Sequence, residues 1–134
     1  MIKAMNTHDS IKVVNDQKEI PTFARDLANV IIQIINKDDV PYGTYHCTDL
    51  GEITWWDFTN EIKQLGVEKG IITNKECKVN PCSTDEYPTL AKRPAYSVLS
   101  KDKIQKALKI TLSDWKESLK VFIDSEMFDK ERIQ

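Results

Sequence analysis

The sequence predicts an α/β fold of α+β character, in which short strands are mixed with about four helices. Short β-branched segments lie between stretches with helical spacing of apolar residues. Hydrophobic residues make up 40% of the 134 residues and charged residues 30%, as in ordinary globular domains. No repeat or change in composition divides the chain, so residues 1–134 are expected to form a single domain.

The charge balance argues against nucleic acid or a membrane as a partner. Nineteen Lys and Arg residues oppose 21 Asp and Glu residues, which gives a net charge of -2. The longest apolar-rich stretch, residues 27–35, is too short to span a bilayer, and no signal-peptide core is present. An odd count of 3 cysteines then predicts reduced thiols and a cytoplasmic location.

Three short strands are predicted, over residues 11–14, 43–47 and 77–80. In the second strand, His46 and Cys47 should face opposite sides. Residues 81–93 are expected to form a long irregular loop, of the kind that is often functional.

The helices are predicted from apolar periodicity and capping residues. The clearest covers residues 22–36, with Thr22 as its cap. A second begins at Thr54, with Asp57 completing a variant capping box, and ends at Gly66. Ser100 is expected to cap a third helix, and Ser113 with Asp114 to cap the last one. The apolar faces are expected to comprise Phe23, Leu27, Val30, Ile31, Ile34 and Ile35; Trp55, Phe58, Ile62 and Leu65; Ile104, Ala107 and Leu108; and Trp115, Leu119, Phe122 and Ile123. The charged tail after Met127 is expected to fray.

Several common catalytic devices are missing from the sequence. The 4 glycines are too widely spaced for a Rossmann G-x-G-x-x-G turn or a phosphate-binding loop. No tyrosine is followed four residues later by lysine, so a Tyr-x-x-x-Lys pair is absent. Ser100 and Lys103 match a serine–lysine spacing, but a serine at a helix start is usually a cap.

A metal site is not expected. His46, Cys47, Cys77 and Cys82 could in principle supply four zinc ligands. The spacing lacks the C-x-x-C pair with which compact zinc sites usually begin.

Lys92 and Arg93 stand before a proline in the predicted loop. Two interpretations remain open on local sequence alone. The pair could clamp a diphosphate, because the planar guanidinium suits two phosphate oxygens. Alternatively, the pair could be solvated and bonded to nearby carboxylates such as Asp85 or Glu86.

Several segments, in order along the chain, carry a family resemblance. The most specific is Glu86-Tyr-Pro-Thr-x-Ala-Lys-Arg-Pro-Ala-x-Ser-Val-Leu-Ser100. The others are residues 13–17, Pro21-Thr22 with residues 26–28, residues 43–46, residues 51–58 with Glu61-Ile62, and residues 114–119. Together they resemble the dTDP-4-dehydrorhamnose reductase family of extended short-chain dehydrogenases. One departure is Glu19-Ile20, where the family usually has a small pair before Pro-Thr.

The resemblance implies a C-terminal, substrate-binding part without its Rossmann half. The family reduces dTDP-4-dehydro-L-rhamnose to dTDP-L-rhamnose with NADPH or NADH, which the absent N-terminal half would bind together with its Tyr-x-x-x-Lys pair. The chain alone is therefore expected to bind no cofactor and to be inactive. Residues 1–5 resemble the end of a family helix, so the chain is expected to begin inside an element.

The resemblance also assigns residues. Arg93 matches a position where related enzymes place an arginine on the diphosphate, and Lys92 and Gln17 are further substrate-binding candidates. Asp26 is expected to be structural. One of Trp55 and Trp56 is expected in the core, and neither is assigned to substrate.

The implied partners are a dTDP-linked deoxysugar and either a complementing Rossmann chain or a second copy of this chain. Two alternatives remain. One is a non-catalytic interaction subunit, since relatives such as the regulatory subunit of methionine adenosyltransferase act by binding an enzyme. The other is a truncated gene product that exposes apolar surface which the absent half would cover.

Overall fold

A computed structural model describes residues 1–125 and confirms the mixed α/β class. The charged tail after Met127 lies outside these residues. In chain order the elements are α1 (Ile2–Thr7), β1 (Ser10–Val14), β2 (Lys18–Glu19), α2 (Ala24–Ile35), β3 (Ile53–Thr54), α3 (Trp55–Glu68), β4 (Lys78–Cys82), a 3-10 helix (Thr84–Glu86), α4 (Asp102–Leu108) and α5 (Trp115–Asp124).

The described strands form two small sheets. β1 runs parallel to β4, with Ser10 opposite Lys78 and Val14 opposite Cys82. β2 pairs antiparallel with β3, and Lys18 makes an additional parallel bridge to Tyr96. The residues between β1 and β2 therefore connect the two sheets.

Two of the predicted strands are confirmed with shifted ends. β1 begins one residue before the predicted segment. β4 continues through Pro81 to Cys82, two residues beyond the predicted end and into the expected loop. A proline is tolerated there because β4 lies at the edge of a two-stranded sheet.

The strand predicted over residues 43–47 is wrong. Within residues 1–125 the segment pairs with no other strand, and side-chain hydrogen bonds hold it instead. The Tyr45 hydroxyl donates to the Pro41 carbonyl over 2.6 Å, and the Lys103 ammonium donates to the Thr44 carbonyl over 2.8 Å. His46 and Cys47 were expected to face opposite sides, and they do differ in exposure: His46 is exposed and Cys47 is half-buried.

Helix α2 is shorter than predicted, and its apolar face is only partly covered. It begins at Ala24 after an N-cap at Phe23, and Thr22 does not cap it. Of the predicted face only Val30 is buried, whereas Ile31 and Ile35 are 47% and 73% exposed. The periodicity was sufficient to predict a helix but not to show which residues are covered.

The capping box at the start of α3 is confirmed. The Thr54 hydroxyl accepts from the Asp57 amide over 3.1 Å, and the Asp57 carboxylate accepts from the Thr54 amide over 2.9 Å. The predicted end at Gly66 is wrong, because the helix continues to Glu68. A side chain at position 66 would place its Cβ 2.6 Å from Cδ1 of Ile72, so this glycine permits close packing.

Of the capping residues predicted for the last two helices, one is an N-cap in the structure and the other is not. The N-cap position of α4 belongs to Lys101 rather than Ser100, but the Ser100 hydroxyl accepts from the amide of Asp102, the first helical residue, over 3.4 Å. Asp114 caps α5, accepting from the Lys116 amide over 2.9 Å.

The buried apolar residues form two clusters. The larger joins α1, α3 and α5, and the smaller lies between α2 and α4. Their buried members are Met5, Ile53, Ile62, Leu65, Ile72, Cys77, Trp115, Leu119 and Ile123 in the first, and Val30, Ile104, Leu108 and Leu112 in the second.

Within residues 1–125, none of the helices has the length and apolar character needed to cross a membrane. The same residues contain no group of three or more His, Cys, Asp or Glu side chains placed to hold a metal ion. The three cysteines, all in this range, are free thiols.

Candidate functional site

A concavity of about 580 Å³ opens where α1, β1, the start of α3 and the irregular segment after β4 meet. It is large enough for a substantial part of a small-molecule ligand. It is lined by Met1, Ala4, His8, Ile11, Lys12, Val13, Val14, Gln17, Trp55, Tyr87, Thr89 and Arg93.

The structure brings two of the three predicted site residues together. Gln17 and Arg93 both line the concavity, although they are far apart in sequence. Lys92 is exposed and is not among the lining residues.

Backbone hydrogen bonds explain how Arg93 comes to lie near Gln17. The amide of Lys18 donates to the carbonyl of Ala95 over 2.8 Å, and the amide of Ser97 donates back to the carbonyl of Lys18 over 2.9 Å. These bonds set the register between the chain after β1 and the segment that carries Arg93. Gln17 directly precedes Lys18, and Arg93 lies two residues before Ala95, so these bonds bring both residues to the same part of the molecule.

Glu52 adds a side-chain bridge across this junction. Its carboxylate accepts from the Lys18 ammonium over 2.7 Å and from the Tyr96 hydroxyl over 3.1 Å. The hydrogen bond from Lys18 holds the pKa of Glu52 below its usual value, so the bridge is ionised at neutral pH. All three groups are solvent-exposed, which limits the energy of the bridge.

Gln17 is buried and acts partly as a structural link. Its amide nitrogen donates to the Thr84 hydroxyl over 3.0 Å. That hydroxyl donates in turn to Asp16 over 2.7 Å, and the Thr84 amide donates to the same carboxylate over 2.9 Å. One donor of Gln17 is thus already used inside the protein.

The charges around the concavity favour an anion. Lys12 and Arg93 are lining residues, and no carboxylate is among them. Within residues 1–125, the Arg93 guanidinium has no hydrogen bond and no ion pair within 4.0 Å. The neighbouring Glu19 is partly buried, which raises its pKa, while the positive charge of Arg93 acts in the opposite direction.

The alternative interpretation was a solvated pair bonded to nearby carboxylates such as Asp85 or Glu86, and both basic residues are indeed exposed. In the part of the chain that the structure describes, neither Lys92 nor Arg93 pairs with Asp85 or Glu86. Glu86 faces Lys12 instead, at 3.6 Å. The guanidinium is therefore available to an external anion.

Two aromatic lining residues were missed by the sequence analysis. Trp55 and Tyr87 both face the concavity. Trp56 is used differently, since its indole nitrogen donates to the Val79 carbonyl over 3.1 Å. The two adjacent tryptophans at a helix start could have indicated an aromatic binding surface, but the sequence did not show which of them lines the concavity. Exposed aromatic faces can stack on a nucleobase or pack against a sugar.

A second polar cluster lies outside the concavity, between α2 and α5. The Ser118 hydroxyl donates to Asp26 over 3.1 Å, and Asp49 accepts from the Phe23 amide over 3.3 Å. Asp49 is only 4% exposed, and burial raises its pKa. Asp26 thus connects two helices, in agreement with the structural role expected for it.

The two amides that follow β4 are not free to hold the pyrophosphate of a dinucleotide. Such a group usually lies on free amides where a strand turns into a helix. Here β1 leads into β2 rather than into a helix. After β4, the Ser83 amide donates to Glu86 over 2.9 Å and the Thr84 amide donates to Asp16 over 2.9 Å, so carboxylates already occupy these donors.

The fold and the concavity define a small α/β domain built around an open site lined by two cations. The chain belongs to the RmlD substrate binding domain family, whose family model matches residues 1–128. The family resemblance stated from the sequence is thereby confirmed.

Curated relatives carry names from one area of biosynthesis. The chain is 41% identical to a dTDP-4-dehydrorhamnose reductase of Aggregatibacter actinomycetemcomitans, covering 90% of this chain and 42% of the relative. It is 33% identical to the spore coat polysaccharide biosynthesis protein SpsK of Bacillus subtilis, covering 92% of this chain and 40% of that protein. The chain therefore spans less than half the length of these relatives.

Two solved structures of dTDP-4-dehydrorhamnose reductases also match this chain, and in both the chain covers less than half of the solved protein. A dTDP-4-dehydrorhamnose reductase from Clostridium acetobutylicum matches with a TM-score of 0.77 and 43% identity, over 92% of this chain and 42% of that one. The reductase of Bacillus anthracis, solved in complex with NADP, matches with a TM-score of 0.79 and 30% identity, over 92% of this chain and 41% of that one.

Proposed function

We propose that this chain forms the wall of a dTDP-4-dehydrorhamnose reductase site that holds the nucleotide sugar. A dTDP-linked deoxysugar binds in the concavity, with its diphosphate on Arg93. The observation that carries this proposal is the Arg93 guanidinium, which lines the concavity without an ion-pair partner among residues 1–125. The names of the relatives support the choice of ligand.

The side chains of the concavity divide the work of binding. The planar fork of Arg93 can donate to two phosphate oxygens at once. Trp55 and Tyr87 offer aromatic surfaces to the base or the sugar. Gln17 shapes the wall between them through its bond to Thr84. Lys92, outside the lining, contributes a nearby positive charge only.

We also propose that residues 1–134 are a single C-terminal domain that needs a Rossmann half, which binds NADPH or NADH, for hydride transfer. Hydride transfer requires a nicotinamide held against the substrate. The sequence has no glycine fingerprint and no Tyr-x-x-x-Lys pair. The amides of Ser83 and Thr84, which follow β4, already donate to Glu86 and Asp16. On this proposal the chain alone is inactive.

Calorimetric titration with dTDP tests the ligand assignment. Wild type should bind, and Arg93→Ala should bind about tenfold to a hundredfold more weakly, because a charge-assisted bond contributes about 1.5–3 kcal/mol. Lys92→Ala serves as the comparator and should lose less, since Lys92 lies outside the lining. Equal affinities of wild type and Arg93→Ala would remove Arg93 from the site.

An NADPH-oxidation assay with the keto-sugar nucleotide tests the need for a second half. The purified chain alone should show no turnover. Measurable turnover would refute the proposal that the cofactor-binding half is required.

A protein partner on α2 is a second proposal, favoured by its exposed apolar residues. Ile31, Ile32 and Ile35 are 47%, 54% and 73% exposed, an unusual cluster for an unpartnered helix. The candidates are a complementing Rossmann chain, a second copy of this chain or, for an interaction subunit, an unrelated enzyme. Recovery of one stoichiometric partner together with no affinity for dTDP would favour the interaction subunit over the reductase role.

A further inference from the structure

The second cation that lines the concavity is Lys12, not Lys92, the neighbour of Arg93 in the sequence. Lys12 lies on β1 and lines the concavity, whereas Lys92 does not. Lys12 and Arg93 therefore approach the same space from different parts of the chain. Two cations that reach one concavity from separate segments can each bind a different oxygen of a diphosphate.

Lys12 already has an anionic neighbour within the protein. Its ammonium lies 3.6 Å from Oε1 of Glu86, beyond normal hydrogen-bond length. The two side chains are 64% and 53% exposed. A pair of this length and exposure is weak, so a ligand oxygen can replace the carboxylate at low cost.

Glu86 is fixed in place independently of Lys12. Its other oxygen, Oε2, accepts from the Ser83 amide over 2.9 Å in the capping box of the 3-10 helix. The hydrogen bond from the Ser83 amide, followed by the charge of Lys12, lowers the pKa of Glu86. The carboxylate thus remains ionised near Lys12 whether or not a ligand is present.

We propose that Lys12 is the second diphosphate-binding residue and that Glu86 is a built-in competitor that occupies its ammonium in the free protein. This inference rests on the proposed function and adds to it a specific exchange of partners. On binding, Lys12 leaves the Glu86 carboxylate for a phosphate oxygen of the nucleotide, while Ser83 keeps Glu86 where it is. Glu86 therefore weakens binding of the ligand anion.

A double-mutant cycle with calorimetric titration of dTDP into the full chain tests the exchange. Lys12→Gln should weaken binding about tenfold, since it removes a charge-assisted bond. Glu86→Gln keeps an amide oxygen for Ser83 and should tighten binding about two- to fivefold, the range of an exposed pair. In the Lys12→Gln background, Glu86→Gln should have no effect, because the competition no longer exists.

Matched controls separate this exchange from general charge effects. Lys78→Gln removes an exposed cation from the same sheet, outside the concavity, and should leave affinity unchanged. Thermal melts of every variant show whether it is folded. The phosphate-free ligand thymidine should respond to neither Lys12→Gln nor Glu86→Gln.

The outcomes distinguish the inference from the function on which it rests. If Arg93→Ala weakens dTDP binding but Lys12→Gln does not, the role of Lys12 is overturned and the proposed function stands. If Glu86→Gln tightens binding equally in both backgrounds, the effect is long-range charge and the competition is overturned. If wild type does not bind dTDP, both fail.

Discussion

Two polar regions of this domain use their charges in opposite ways. Between α2 and α5, Asp26 and Asp49 are bonded to Ser118 and to the Phe23 amide, and Asp49 is buried. At the concavity, Arg93 is exposed and has no ion pair within residues 1–125. Charges with internal partners connect elements of the fold, and a charge that faces open space remains available to a ligand.

Removing the buried acid should have the largest effect on stability and none on binding. Asp49→Ala leaves the Phe23 amide without its acceptor and should lower the free energy of unfolding by about 1–3 kcal/mol. Affinity for dTDP should not change, because Asp49 does not line the concavity. Urea unfolding measures the loss of stability, and calorimetric titration measures the affinity for dTDP. A weakened affinity would show that the polar cluster between α2 and α5 also affects the concavity.

The matched variant Asp49→Asn separates the charge of Asp49 from its hydrogen bond through the pH dependence of stability. Burial raises the folded-state pKa of Asp49, so its ionised form opposes folding. The folded state therefore binds the proton more tightly, and this contribution to stability declines as pH rises from the ordinary pKa of 3.8 through the raised folded value. Asn keeps an acceptor without the charge, so the unfolding midpoint of Asp49→Asn relative to that of wild type should rise as pH increases across this window.

Disrupting the capping box of α3 should lower the free energy of unfolding by a smaller amount and leave dTDP binding unchanged. Thr54→Ala removes the acceptor of the Asp57 amide and should cost about 1 kcal/mol. Thr54→Ser keeps the hydroxyl and should stay close to wild type. Urea midpoints for the three proteins measure the difference, and a Ser variant as unstable as Ala would show that the hydroxyl is not what matters.

The smallest expected effect on stability is that of Glu52→Gln, which tests the junction between the regions. The charge on Glu52 links Lys18 to Tyr96, but the backbone bonds of Lys18 to Ala95 and Ser97 remain. Unfolding should become easier by less than about 1 kcal/mol, as for other exposed pairs. Affinity for dTDP should fall about twofold at most. A larger loss of affinity would mean that side chains, rather than backbone, position Arg93.

Features decided by neighbouring residues were predictable from the sequence. The capping box of Thr54 and Asp57 depends on four consecutive residues, and it is present as predicted. The cap at Asp114 is equally local. The order of the family-like segments along the chain was enough to identify the family, but it did not reveal the concavity.

Features decided by distant contacts were not predictable. Residues 43–47 have a strand-like sequence, but they pair with none of the strands in residues 1–125. Gly66 resembles a helix terminator, yet its role depends on Ile72. In the same way, the neighbour of Arg93 in sequence, Lys92, is outside the lining, and Lys12 from β1 takes its place.

The central claim is that Arg93 serves a ligand and not the fold, and one variant measured in two ways tests it most directly. Arg93→Ala should unfold within about 0.5 kcal/mol of wild type, since within residues 1–125 it loses no hydrogen bond or close ion pair, only the longer-range attraction to Glu19. The same protein should bind dTDP at least about tenfold more weakly. A variant that binds dTDP as tightly as wild type would contradict the account.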